Sequence, residues 1–271
     1  KQNMKTRSLL LLIAIISCTH LPGQSYNPGI NVQHYDFSLK VSDTSDRIIG
    51  EAVVTVQFKT RTDSFLLDLA GRMKVSSVKE NGRSLKFRQG KEQLVIYAIG
   101  TSGYQSTYTI RYSGIPADGL IISKNKFGHR GLFGDNWPNR AHHWLPCVDH
   151  PSDKATVDWH ITAPEHYTVV ANGRLKDEQM LKGGYKVTWW KESVPLSPKI
   201  MVAGIADFAV DHPGDAEGVP VYNYVFPENK DKGFQSYAHA LQILPFYIRH
   251  IGPYPFEKCG NVQSKTRFGG L

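Results

Sequence analysis

In QHYDFSLKV (Gln33–Val41) and AVVTVQF (Ala52–Phe58), the apolar side chains fall on every second residue: Tyr35, Phe37, Leu39 and Val41, then Ala52, Val54, Val56 and Phe58. Side chains two apart on an extended chain share a face, so each stretch is a strand with one face on a core. The same period recurs at Phe65, Leu67 and Leu69, and again at Tyr108, Ile110 and Tyr112. Asn81-Gly82, Asn172-Gly173 and Gly183-Gly184 offer the positive φ that tight hairpin turns need. The pattern up to Val210 predicts antiparallel sheet.

Between Ile115 and Lys154 the alternation lapses into Gly, Pro, His and Trp, too long for an ordinary connection. Strand periodicity then returns through Val157, Trp159 and Ile161, through Tyr167, Val169 and Ala171, and through Val187 and Trp189. After Asp211 the texture changes: His212-Pro213-Gly214 predicts a turn and Val219–Phe226 one further strand. From Asp231 to His250, Phe234, Tyr237, Ala238, Leu241, Leu244 and Ile248 recur at three and four, which predicts a helix with one buried face. Pro245 is expected to kink that helix or to end its first segment, and Gly252-Pro253-Tyr254-Pro255 to terminate it.

The 271 residues carry 32 basic and 24 acidic side chains, a formal charge of +8, with 41% hydrophobic and 21% charged residues. These values fit a folded globular body. The basic residues are scattered rather than clustered, which argues against nucleic acid as a partner. Met4–Gln24 reads as an export leader, with Lys5 and Arg7 before the apolar run Leu9–Ile16. That run is shorter than the ~20 residues a membrane span requires. Ile15-Ile16-Ser17-Cys18 is a lipobox-like cleavage site that would make Cys18 an acylated anchor, while Leu21-Pro22-Gly23 suits ordinary signal peptidase. The leader implies an exported protein that is periplasmic, outer-membrane lipoprotein or secreted, touching membrane only through that lipid.

None of the eleven His is followed by Glu, so no H-E-x-x-H metal helix is present, and G-x-S-x-G, G-x-x-x-x-G-K-[ST] and G-x-G-x-x-G are absent too. His142 and His143 are neighbours, and on a strand neighbouring side chains point to opposite faces. A metal on His142, His143, Asp149 and His150 is therefore not expected. Cys147, between Pro146 and Val148, is expected to be a buried structural thiol rather than a nucleophile.

The stretch GDNWPNRAHHWLPCVDHPSDKATVDWHITAP (Gly134–Pro164) resembles the aminopeptidase N family of zinc metallopeptidases through Pro146, Cys147, Asp149, Pro151, Lys154, Ala155 and Thr156. Ala171-Asn172-Gly173, Met201–Phe208, Gly252-Pro253-Tyr254-Pro255-Phe256 and Gly269-Gly270 follow in the family's order. The resemblance implies a mainly β fold: a saddle-shaped antiparallel β-domain, followed by the first strand-helix-strand elements of a thermolysin-like α/β catalytic domain. The expected divisions are 1–24 leader, 25–210 β-domain and 211–271 the opening of the catalytic domain.

The same resemblance implies removal of N-terminal residues from peptides, with Zn2+ in the full-length enzyme. The zinc ligands, catalytic Glu and oxyanion Tyr of the family lie after the Gly-rich strand, so no catalytic or metal residue is assigned in this chain. Alone it is expected to be inactive and to bind no zinc. Its partners would be peptide substrates and the remainder of the catalytic domain. Phe268, Gly269, Gly270 and Leu271 would pair their backbone with the substrate. The family's second contact to the substrate α-ammonium falls, twelve residues before Cys147, on Asp135, where most members have Gln or Glu. Asn136 beside it is an alternative contact, and a turn or capping role for the pair stays open. A non-catalytic, exported peptide- or glycan-binding scaffold that keeps the β-domain is the alternative to the enzyme.

Overall fold

The computed structural model describes residues 29–265. Ten strands precede an irregular crossing: β1 (Ile30–Lys40), β2 (Ile48–Phe58), β3 (Phe65–Asp68), β4 (Lys74–Glu80), β5 (Arg83–Ser84), β6 (Phe87–Gln89), β7 (Gln93–Ile96), β8 (Gln105–Gly114), β9 (Leu120–Lys124) and β10 (Arg130–Gly134). After a 3₁₀ turn at Ala141–His143 come β11 (Ala155–Pro164), β12 (Thr168–Ala171), β13 (Arg174–Leu181), β14 (Tyr185–Leu196) and β15 (Ala203–Ala206). The remainder holds β16 (Ala209–Ala216), β17 (Val219–Val225), α1 (Lys230–Tyr237), α2 (Ala240–Ile251) and β18 (Cys259–Val262). The mainly β class expected from the sequence is the observed one.

An eight-stranded sheet in the order β13-β14-β11-β1-β2-β8-β4-β5 forms the large layer. Two smaller sheets, β12-β15-β10-β9 and β3-β7-β6, share one continuous core with it. The alternating residues of the opening strands are the ones buried there: Tyr35, Phe37 and Leu39 from β1, with Ala52, Val54, Val56 and Phe58 from β2. Each large apolar side chain so buried contributes about 1.5–3 kcal/mol. Aromatic contacts join the layers. Phe65 of β3 packs at 4.7 Å on Tyr108 of β8, and Trp144 after the 3₁₀ turn stacks at 5.8 Å on Trp159 of β11.

Four local expectations are corrected. β1 pairs with β11 in parallel, and β17 with β18 in parallel, so the sheets are mixed rather than wholly antiparallel. The Ile115–Lys154 stretch is not all crossing, because β9 and β10 form a hairpin inside it. His212-Pro213-Gly214 lies within β16 at a shift in register, and the turn comes later, at Glu217 (φ 51°) and Gly218 (φ 82°). The helical segment breaks at Ala238–His239, between α1 and α2, while Pro245 sits inside α2. Pro245 has no N–H to donate, so the Leu241 carbonyl goes without its helical donor, and the helix continues past it.

A small second core holds α2 against β16 and β17 through Leu244, Ala216 and Val221, with Leu241 and Ile248 alongside. These are the helix positions that the three-and-four spacing placed on one face. The other face leaves Ile243, Phe246, Tyr247 and Ile251 exposed, an apolar seam.

Candidate substrate-recognition site

β10 ends at Gly134 and delivers Asp135 and Asn136 to opposite environments. The Asp135 N–H donates to the Gly119 carbonyl at 2.6 Å, and a cis Trp137-Pro138 bond follows. Asn136 turns inward and is 1% exposed. Its Nδ2 donates to the Pro198 and Met201 carbonyls at 2.9 and 2.7 Å, and its Oδ1 accepts from Trp144 Nε1 at 2.8 Å. An amide so committed in the interior has nothing left to offer a substrate. The turn-fixing alternative, not direct contact, describes Asn136.

Asp135 faces a cleft. Its side chain is 14% exposed, and Arg140 reaches Oδ1 at 2.5 Å. The same guanidinium bonds Asp118 Oδ1 at 3.1 Å and, through Nε, the Trp137 carbonyl at 2.7 Å. The carboxylate is thus held in one orientation by Arg140, and Asp135 lines a 390 Å³ cleft together with Phe133, Asn172, Glu192, Tyr254 and Lys258. Ser264 lines it too. Phe268, Gly269, Gly270 and Leu271 follow a few residues on and lie outside the described residues, as does Cys18.

The lining also carries two buried charged groups that the sequence reading missed, Glu192 and Lys258. Lys258 Nζ donates to the carbonyls of Ala171 and Gly173, both at 2.5 Å, and stands 4.4 Å above the Trp190 ring. Burial lowers its pKa to about 8, against the pull of Glu192 and Glu257. Burial likewise raises the Glu192 carboxyl, although its Oε1 accepts the Val194 N–H at 2.9 Å. Lys258 therefore fastens the segment leading into β18 onto the Asn172-Gly173 turn, the turn that Asn172 also stiffens by bonding Val202 N and Ile200 O. Asp135 and Lys258 both line the cleft.

Residues 31–198 match the model of the Peptidase M1 N-terminal domain. The chain belongs to that family. It is 26% identical over 223 residues to glutamyl aminopeptidase of Mus musculus, covering 74% of this chain and 23% of that protein. Probable aminopeptidase 2 of Sulfurisphaera tokodaii is 24% identical, covering 69% of this chain and 24% of its own length. This M1 chain thus spans about a quarter of the length of the curated relatives it matches. Its fold superposes on the M1 zinc metallopeptidase from Deinococcus radiodurans with a TM-score of 0.75 at 23% identity, over 89% of this chain and 58% of that one. The family is one of zinc metallopeptidases. This M1 chain contains no H-E-x-x-H, so its own residues do not build such a centre.

Two groups singled out in the M1 sequence are placed clearly. Cys147 is fully buried, its backbone bridged to Asp68, and burial raises its thiol pKa far above the ordinary value. It is the structural thiol expected. His142 and His143, however, are not on a strand. They sit in the 3₁₀ turn with ring centroids 4.4 Å apart, so the opposite-faces expectation is wrong for them. His142 Nδ1 lies 2.6 Å from Asp149 Oδ2 and its Nε2 3.5 Å from Glu92 Oε2. Burial pulls the His142 pKa down, and the Asp149 bond together with Asp68 and Glu92 outweighs it, leaving the ring more basic than usual. Burial, helped by neighbouring His142, leaves His143 less basic than usual.

Proposed function

We propose that this chain is the substrate-recognition front of an exported zinc aminopeptidase, and that Asp135 receives the α-ammonium of the peptide. The supporting observation is a carboxylate oriented by Arg140 on a residue that lines a cleft. Lys258, Gly260, Val262 and Ser264, a few residues before the Gly-rich stretch, also line that cleft. A carboxylate there accepts charge-assisted hydrogen bonds from an ammonium, and Arg140 keeps it from swinging away. The Gly-rich Phe268–Leu271 would add its backbone to the extended peptide. The leader and Cys18 carry the proposal of export to the periplasm, to the outer membrane as a lipoprotein, or outside the cell.

The enzyme reading is preferred to a peptide- or glycan-holding scaffold because α1, α2 and β18 continue beyond the matched residues 31–198. The α2 seam of Ile243, Phe246, Tyr247 and Ile251 also suits a larger catalytic body. By itself the chain is expected to release no amino acid from aminoacyl-amide substrates, with or without added zinc.

In the whole protein, Asp135→Ala is expected to raise KM for free-amine peptides about tenfold or more, as loss of a bond to a charged group worth ~1.5–3 kcal/mol requires. Inhibition constants for a free-amine dipeptide and its N-acetylated counterpart, measured on both proteins, test this. The free-amine ligand should weaken and the acetylated one stay unchanged; equal weakening of both would reject the ammonium role.

A further inference from the structure

We propose that Glu92, His142 and His143 form a binding site for a divalent transition metal of the zinc class, separate from the recognition cleft. One ligand atom from each residue lies within 4.8 Å of the other two. In a tetrahedral zinc site with bonds of about 2.0–2.1 Å, neighbouring donor atoms stand ~3.4 Å apart. His142 Nε2 and Glu92 Oε2 are already at 3.5 Å. The remaining approach is a side-chain rotation, and Glu92, about half exposed, is free to make it.

The site is held from behind as metal sites are. The His142 ring bonds through Nδ1 to the 4%-exposed carboxylate of Asp149, which fixes the tautomer and turns the Nε2 lone pair toward Glu92. The Asp149 carboxylate also accepts the His142 backbone N–H at 3.1 Å, and the Asp149 N–H donates to Asp68 Oδ2 at 2.9 Å. His143 Nδ1 is buried without a hydrogen-bond partner.

Both ligand-bearing segments are sewn to one short stretch of backbone. The Leu69 N–H donates to the Glu92 carbonyl at 3.0 Å, the Gly71 N–H to the Lys91 carbonyl at 2.6 Å, and the Ala70 N–H to the His142 carbonyl at 2.8 Å. A 460 Å³ hollow opens over Glu92 and His142, with room for water to complete the coordination. Arg88 and Lys91 line that hollow and oppose a cation, but Asp68, Glu92 and Asp149 outnumber them. Two imidazoles and a carboxylate suit zinc, cobalt, nickel and copper rather than calcium or magnesium.

The test uses the full chain, stripped with chelator and titrated with Co2+ and Zn2+. With no H-E-x-x-H in the sequence, catalytic-type zinc binding does not interfere, and the readout is independent of peptidase activity. Saturation at one equivalent is expected, with a Co2+ visible band displaced by Zn2+, affinities in the order Co < Ni < Cu > Zn, and a rise in Tm on adding zinc. Glu92→Gln, a change on an exposed turn that leaves the fold intact, and His143→Gln should each weaken binding by more than the ~10- to 100-fold typical of losing an outer-shell partner. His250→Gln, on the far α2, should not. The proposal is overturned if no saturable binding occurs at millimolar zinc, or if Glu92→Gln and His143→Gln bind as the parent does.

Discussion

Replacing Asn136 by Ala takes the partner from two buried polar groups, the Trp144 indole N–H and the Met201 carbonyl, while the Pro198 carbonyl keeps the Met201 N–H at 3.1 Å. The Trp144 indole N–H and the carbonyls of Pro198 and Met201 all point at the Asn136 amide, which is 1% exposed. Each buried polar group left without a partner costs about 1–3 kcal/mol, and the two losses do not simply add, because the backbone can relax and water can enter. A loss of ~2–4 kcal/mol follows, a large part of the ~5–15 kcal/mol that holds a typical domain together. Equilibrium denaturation in urea, followed by tryptophan fluorescence, measures it directly, since Trp144 and the stacked Trp159 report from the same place. Asn136→Asp gives a second, sharper reading. Its carboxylate would face two carbonyl oxygens, so its pKa in the folded protein is raised above the unfolded ~3.9. Stability of that variant should then fall as pH rises through the window between those two values, and its deficit should shrink in acid. A loss under ~1 kcal/mol for Asn136→Ala, or a pH-independent deficit for Asn136→Asp, would refute the assignment of Asn136 as an internal brace.

Lys258 is held less basic than usual, with a pKa of about 8, so the unfolded chain binds more protons between about pH 8 and 10.5 and stability should rise with pH there. The slope, at most ~1.4 kcal/mol per pH unit, should vanish in Lys258→Met; denaturation at pH 7.5, 9 and 10 decides. Gly173 adopts φ 80°, and a Cβ there would meet the Lys191 carbonyl oxygen at 1.9 Å. Gly173→Ala should cost at least ~2 kcal/mol and loosen the Lys258 anchor, seen as a lower urea midpoint. Cys147 should resist Ellman's reagent in the native protein while the partly exposed Cys259 reacts, with mass spectrometry locating the label; fast native labelling of Cys147 would contradict its burial.

The strands were legible because burial on one face writes itself into every second residue, as Tyr35, Phe37 and Leu39 illustrate. Partner and direction are not written that way: nothing in the period of β1 or β11 states that they lie side by side in parallel. The 3₁₀ turn at Ala141–His143 is shorter than any period, so the neighbouring imidazoles were assigned strand geometry and set apart. The family resemblance points to Asp135 through its distance from Cys147, yet the Arg140 partner and the inward turn of Asn136 depend on backbone that the resemblance does not describe. Glu192 and Lys258 were overlooked because each is an ordinary surface-type residue until folding brings β14 and the segment before β18 together. The helix break was misplaced because Pro245 is a strong local signal, whereas the interruption at Ala238–His239 carries none.

The side-by-side placement of β1 and β11 has a temporal cost. His34 meets Thr156 across 122 residues of intervening chain. A ribosome adding about 5–20 residues each second needs ~6–25 s to make that stretch. For all of that time β1 can zip to β2, but its other flank offers a bare row of amides and carbonyls to any passing strand. A newborn copy is therefore most vulnerable to mispairing over this interval, and a holdase that shields extended polypeptide would improve its yield more than one acting on the finished molecule.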